Sequence, residues 1–161
     1  MPSFNNVQDL MKYVKRTTRY PLEQIAHKIE EILKQYIMDN WYNRNGFTPE
    51  DYARTYDFIN CITVKSAMQI NNGWEVEIYF DNEKINPQYA DDDRFWNKHM
   101  SVYGEDISDD LPFYIEYGNK SPIYSYEGIH MVKNTVEYCE QSNIPVKEMV
   151  QELKKYGFKI K

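Results

Sequence analysis

Residues 62–80 read ITVKSAMQINNGWEVEIYF, and the fold class turns on them. Ile62, Val64, Met68 and Ile70 fall on one face of an alternating run; Trp74, Val76, Ile78 and Phe80 do the same in the next, with Glu75 and Glu77 between. A period of two is the signature of a strand with one buried face. Between the runs stands Asn71-Asn72-Gly73, and Asn-Gly is the strongest short hairpin signal because both central residues of a type I′ turn need positive φ. An antiparallel β-hairpin is expected here.

Upstream the period changes. Val7, Leu10, Met11 and Val14, within Asn5–Thr17, have the three-four spacing of one apolar helical stripe and predict a short helix. After Tyr20, Pro21 suits a first helical position, and Leu22, Ile25, Ile29, Ile32, Leu33, Tyr36 and Ile37 repeat at helical spacing. That second helix is expected to end near Asn43, where Asn43-Arg44-Asn45-Gly46 supplies left-handed conformers and Pro49 discourages continuation.

Downstream, residues 81–110 lose all periodicity and read as a long loop or insertion. Leu111–Tyr117 then leads into a turn over Gly118–Pro122. Ile129, Val132, Val136 and Cys139 space out another helix. Asn143-Ile144-Pro145 opens a last one, with stripe Val146, Met149, Val150 and Leu153 and a stop at Gly157; Phe158–Lys161 is expected to add a terminal strand. Helices packed on a small antiparallel sheet make an α+β fold, and 161 residues suit a single domain, 1–161, with its insertion at 81–110.

Composition narrows the function. With 25 acidic residues against 19 Lys and Arg, the net charge of -6 disfavours a phosphate backbone as main partner, so no sequence-specific nucleic acid is expected. The basic run Lys12, Lys15, Arg16 and Arg19 reads as a solvated helix face. No apolar run approaches the roughly twenty residues of a membrane span, so no membrane partner is expected, and the chain reads as cytoplasmic when made. Aromatic content is the outlying feature: 15 Tyr, 7 Phe and 3 Trp exceed what a small core can bury, and exposed tyrosines favour interfaces.

Signals for chemistry are absent or weak. The six glycines form no phosphate-cradling motif. His27, His99 and His130 have no metal-ligand spacing, and Cys61 and Cys139 read as reduced core residues. Asp91-Asp92-Asp93 with Glu105, Asp106, Asp109 and Asp110 has the oxygen donors for a cation but matches no known calcium loop and reads as a solvated acidic loop. No catalytic, metal or cofactor residue is therefore expected, and the chain reads as a non-enzyme.

Pro49-Glu50-Asp51-Tyr52-Ala53-Arg54-Thr55-Tyr56-Asp57-Phe58-Ile59-Asn60-Cys61-Ile62 resembles a segment of the neck and tail-completion proteins of tailed bacteriophages, in which an Arg-Thr pair precedes a short helix-to-strand passage. Leu111-Pro112-Phe113-Tyr114-Ile115-Glu116-Tyr117-Gly118 is similar to that family's aromatic-apolar-Glu-aromatic-Gly stretch, and residues 127–138 match the place of its following helix. Many relatives have Gly where this chain has Tyr56, and Thr where it has Asn119. The resemblance implies a noncatalytic structural subunit of the head-to-tail junction or tail end. It also implies a homo-oligomeric ring that contacts other neck or tail proteins, located in the virion and assembled in the host cytoplasm.

Arg54 offers a planar donor fork and Tyr52, Tyr56 and Phe58 offer packing area, while Trp96 and Tyr103 in the long loop, with Glu116 and Tyr117, complete the expected contact residues. The same side chains also serve an intrachain reading: an Arg54 ion pair with Asp51 or Asp57, aromatics filling the core, and a local cap or pair for Glu116. The alternative function is a small tyrosine-rich regulatory or host-targeting binding protein; a hydrolase using the acidic loop ranks third.

Overall fold

A computed structural model describes residues 6–43, 56–71, 73–85, 109–120 and 125–160, with side chains at 119, 120, 125 and 126 excepted. It is an α+β fold: a long N-terminal helix, small antiparallel hairpins and C-terminal helices. Helix α1 runs unbroken over Val7–Ile37 and gives way to a π-turn, Met38–Tyr42, closed by Asn43 N–H donating to the Met38 carbonyl at 2.9 Å. Asn43 itself is not left-handed, with φ -96°.

The expected break at Pro21 does not occur. Pro21 lies inside α1 and is among the largest fully buried side chains. Its ring removes the N–H that would bond the Thr17 carbonyl, and burial of that ring offsets part of the cost. The Thr17 hydroxyl, buried beside it, donates back to the carbonyls of Tyr13 (2.9 Å) and Val14 (3.1 Å), so the hydroxyl itself is satisfied.

After the short helix α2 (Asp57–Asn60) comes the predicted ribbon, in four short strands. β1 (Ile62–Val64) pairs with β4 (Ile78–Phe80), and β2 (Met68–Ile70) pairs antiparallel with β3 (Gly73–Glu75). Lys65 N–H to the Glu77 carbonyl and Asp81 N–H to the Cys61 carbonyl extend the ladder. The register pairs Ile70 with Gly73, so Gly73 is a strand residue and the two-residue link is 71–72. The single expected face is also split: over 65–67 the phase slips by one, Ala67 is buried, and Met68 and Ile70 turn outward.

Of the long loop, Asn82–Lys84 form a 3₁₀ turn, and 86–108 lie outside the described residues. Helix α3 (Leu111–Tyr117) follows, then β5 (Gly118–Lys120) pairs antiparallel with β6 (Ser125–Glu127), where only a turn was expected. Helix α4 (Met131–Gln141) buries Met131, Thr135 and Cys139; Val132 and Val136, the stripe expected inside, are exposed. Cys139 lies inside as the spacing predicts, while packing turns Met131 and Thr135 inward in place of Val132 and Val136. Asn143, left-handed at φ 53°, opens α5 (Ile144–Lys155), Pro145 takes a first-turn place, and Gly157 at φ 85° stops it. No strand follows in 158–160; Phe158 instead packs on Tyr13, ring centroids 5.7 Å apart.

The chain divides into two compact units. The first comprises Met1–Glu31, Val64–Ile78 and Val136–Lys161, and its buried residues include Thr17, Pro21, Ile25, Ala26, Ala67, Cys139 and Glu152. The second comprises Ile32–Thr63 and Tyr79–Thr135, with Leu33, Ile37, Phe58, Cys61, Ile62, Ile85, Ile115 and Met131 buried. Full burial of a side chain such as Ile37 or Ile115 contributes about 1.5–3 kcal/mol.

Candidate functional site

In the first unit, the β2–β3 hairpin is pinned along α1. The Glu23 carboxylate accepts the Ala67 N–H at 2.8 Å and holds Arg19 at 3.5 Å. The Arg19 guanidinium lies over the Trp74 ring, 5.4 Å from its centroid, and the Trp74 indole N–H bonds the Lys15 carbonyl. Lys15 Nζ reaches the Ile70 carbonyl at 3.5 Å. These contacts run from Glu23 back to Lys15, so the strand descends α1 toward its N-terminus.

Below Lys15 the apolar stripe of α1 stands open. Val7 is 70% exposed, Met11 66%, and Leu10 and Val14 are also exposed. Met68 and Ile70 add apolar surface to the same unit. The spacing 7, 10, 11, 14 marks one helical face, and only the fold shows that all four of its side chains stay exposed. Lys12 and Arg16, both exposed, lie on the opposite side of the helix, with Arg16 near the Tyr13 ring. Such a face is amphipathic in the manner of a helix that docks.

In the second unit, three loop residues are held against α3. Ile129 N–H donates to the Ile115 carbonyl and His130 N–H to the Glu116 carbonyl, each at 3.0 Å. Gly128 sits so close that a Cβ there would lie 2.3 Å from the Glu116 carbonyl oxygen. His130 is left-handed at φ 49°, and the buried Glu116 carboxylate caps α4 by accepting the Val132 N–H at 2.9 Å. Tyr56, His130 and Asn143 each take positive φ at the residue just before a helix, so the chain enters α2, α4 and α5 through the same sharp bend.

Beside this segment is an open cleft of about 470 Å³. Tyr36, Asp39, Asn40 and Asn43 line one part of it, and Glu127, Ile129, His130 and Asn134 another. The Tyr36 hydroxyl donates to the Ile129 carbonyl at 2.9 Å, and Asn134 Nδ2 donates to Tyr36 Oη at 2.6 Å and to the Ile129 carbonyl at 3.0 Å. No signal in the sequence joined Tyr36 to Asn134, because the contact spans 98 positions.

Among the expected contact residues, Tyr52, Arg54, Trp96 and Tyr103 lie outside the described residues. Tyr56 is partly exposed and stacks on Tyr42, centroids 5.0 Å apart. Phe58 is buried, stacked on Phe80 at 5.5 Å, and fills the core of the second unit. Glu116 is the α4 cap just described. Tyr117 is 61% exposed and packs on Phe113 at 4.8 Å and on the edge of His130 at 6.4 Å. The structure brings Glu116 and Tyr117 to the segment beside the cleft.

Both cysteines are buried and unbridged. Burial, reinforced by the nearby Asp81 carboxylate, pushes the Cys61 thiol up to about 12, and burial raises Cys139 as well. Such thiols are protonated at neutral pH and poor nucleophiles. Among the described residues, no group of His, Cys, Asp and Glu is arranged to hold a metal ion, and no helix is long and apolar enough to cross a membrane.

No known family model matches the chain. Neither does a curated protein or a solved structure.

Proposed function

We propose that this chain is a noncatalytic assembly subunit that acts by protein–protein contact, and that it belongs at a phage head-to-tail junction or tail end, as its resemblance to neck and tail-completion proteins implied. The observation that carries the reading is the uncovered stripe Val7, Leu10, Met11 and Val14 on α1. Exposed apolar side chains at consecutive helical turns have a hydration cost that a partner surface removes. Tyr56 lends support to the resemblance: its φ of 59° is a conformation that favours glycine, the residue many relatives of the resembled family carry there.

Native mass spectrometry of the full chain tests the proposal. Self-association into a defined homo-oligomer, or oligomer growth on adding purified neck or tail components, is the expected result. A chain that stays monomeric under both conditions overturns it and favours a monomeric regulatory binding protein instead.

A further inference from the structure

Two apolar faces stand exposed in this chain, and charge decides which surfaces they can meet. On α3, Phe113 is 59% exposed and Tyr117 61%, one turn apart with ring centroids at 4.8 Å, so the pair presents a single aromatic surface. Asp109 and Asp110, both exposed, stand immediately before the helix, and the Asn82 amide, donating to the Asp109 carbonyl at 3.4 Å, brings Asp81 and Glu83 beside them. Lys84 pairs with Asp81 at 3.3 Å and leaves Glu83, Asp109 and Asp110 without a cation among the described residues. No Lys or Arg occurs in 109–118.

The α1 stripe stands in the opposite charge. Between Val7 and Leu22 the cations Lys12, Lys15, Arg16 and Arg19 face one acid, Asp9, whose carboxylate accepts from the Asn6 amide at 2.9 Å. Lys15, one turn on from Met11, borders the stripe. The same contrast runs through the two units: acids and bases nearly balance in the first, while the second has nearly twice as many acids as bases.

Two copies can therefore bring these faces together in three ways. Setting α3 against α3 puts acid against acid, and stripe against stripe puts base against base; like charges juxtaposed across an interface count against both. Stripe against α3 joins unlike charges and covers both apolar faces. Because the cations lie at the edge of the stripe or behind it, electrostatics selects the partner and the apolar contact holds it.

We infer that the α1 stripe Val7, Leu10, Met11 and Val14 of one copy docks on the α3 aromatic face, Phe113 and Tyr117, of a second copy. The inference rests on the assembly reading above and gives it a direction. A contact between two different faces is heterologous, so each copy has one face of each kind to offer and association does not stop at a dimer.

Two variants test it in isotopically distinct full-length chains: Leu10→Glu with Met11→Glu on the stripe, and Phe113→Ser with Tyr117→Ser on α3. Native mass spectrometry and sedimentation equilibrium are the readouts. Each variant alone is expected to self-associate at least about a hundredfold more weakly than wild type. Mixed, they retain one intact contact, α3 of the first with the stripe of the second, and a one-to-one heterodimer that grows no further is expected. Phe113→Ser alone replaces the α3 pair if the double change lowers the unfolding midpoint. Either variant self-associating like wild type, or a mixture that stays monomeric, overturns the inference and leaves the assembly reading standing, as does a wild type that grows only on neck or tail components. A wild type that stays monomeric both alone and with those components overturns the assembly reading and the inference with it.

Discussion

Gly128 lies against the backbone of Glu116 with no room for a side chain: a Cβ would meet the Glu116 carbonyl oxygen at 2.3 Å, the Tyr117 carbonyl carbon at 2.4 Å and the Gly118 nitrogen at 2.5 Å. All three are backbone atoms at the C-terminal end of α3, so no side-chain rotation relieves the clash. Gly128→Ala must therefore move the segment outward and stretch the bonds from Ile129 to Ile115 and from His130 to Glu116. A loss of about 3 kcal/mol is expected in urea unfolding, at the upper end for overpacking. An unchanged midpoint would contradict the close approach.

The Cys61 thiol gives a pH test. Its folded pKa is raised from the ordinary 9.0 to about 12, chiefly by burial, so between those values the folded state keeps a proton that the unfolded state loses. Stability from this group is complete below pH 9 and declines as pH rises from there to about 12. Other groups, including 15 tyrosines, titrate in the same range, so the comparison is between wild type and Cys61→Ala. Plotted against pH above 9, the wild-type unfolding free energy is expected to fall more steeply than that of the variant. Parallel curves would show that burial does not hold the thiol neutral.

Thr135 is buried on α4, and its hydroxyl has no hydrogen-bond partner among the described residues. A buried unpaired hydroxyl carries a desolvation cost that valine, nearly the same shape and equally stiff at χ1, does not. Thr135→Val is expected to raise stability by about 1 kcal/mol, visible as a higher thermal midpoint. A lower midpoint would show that the hydroxyl finds a partner.

The fold class was legible because each element carried its own period. The ribbon at 62–80, the helical repeat after Leu22 and the Asn143-Pro145 opening with its Gly157 stop are local patterns, and each occurs where local pattern put it. What failed to show in the sequence depends on contacts made at a distance. Pro21 reads as a helix start until its ring is seen to be buried. Val132 and Val136 read as core as readily as Met131 and Thr135, and only packing chooses between adjacent helical faces. Of the candidate sites, the α1 stripe was visible as a stripe, but its exposure was not. The cleft was invisible, because Tyr36, Glu127 and Asn134 meet only after the chain returns to the end of α1.

That uncovered stripe makes the assembly proposal separable from stability. Leu10 and Met11 lie on the outer surface of α1 and keep helical propensity when replaced by glutamate, so Leu10→Glu with Met11→Glu should change the unfolding free energy by no more than about 0.5 kcal/mol per site. Against a partner surface the same change buries two charges without counter-ions, which costs far more than the apolar contacts it removes. The double variant is thus expected to unfold like wild type while its association constant, measured by sedimentation equilibrium, drops at least about a hundredfold. Salt offers a second readout. Lys12 and Arg16 lie on the opposite side of α1, so raising ionic strength is expected to strengthen or leave unmoved an association made through the apolar stripe. Wild-type levels of association in the folded double variant would place assembly on another face and withdraw α1 from it.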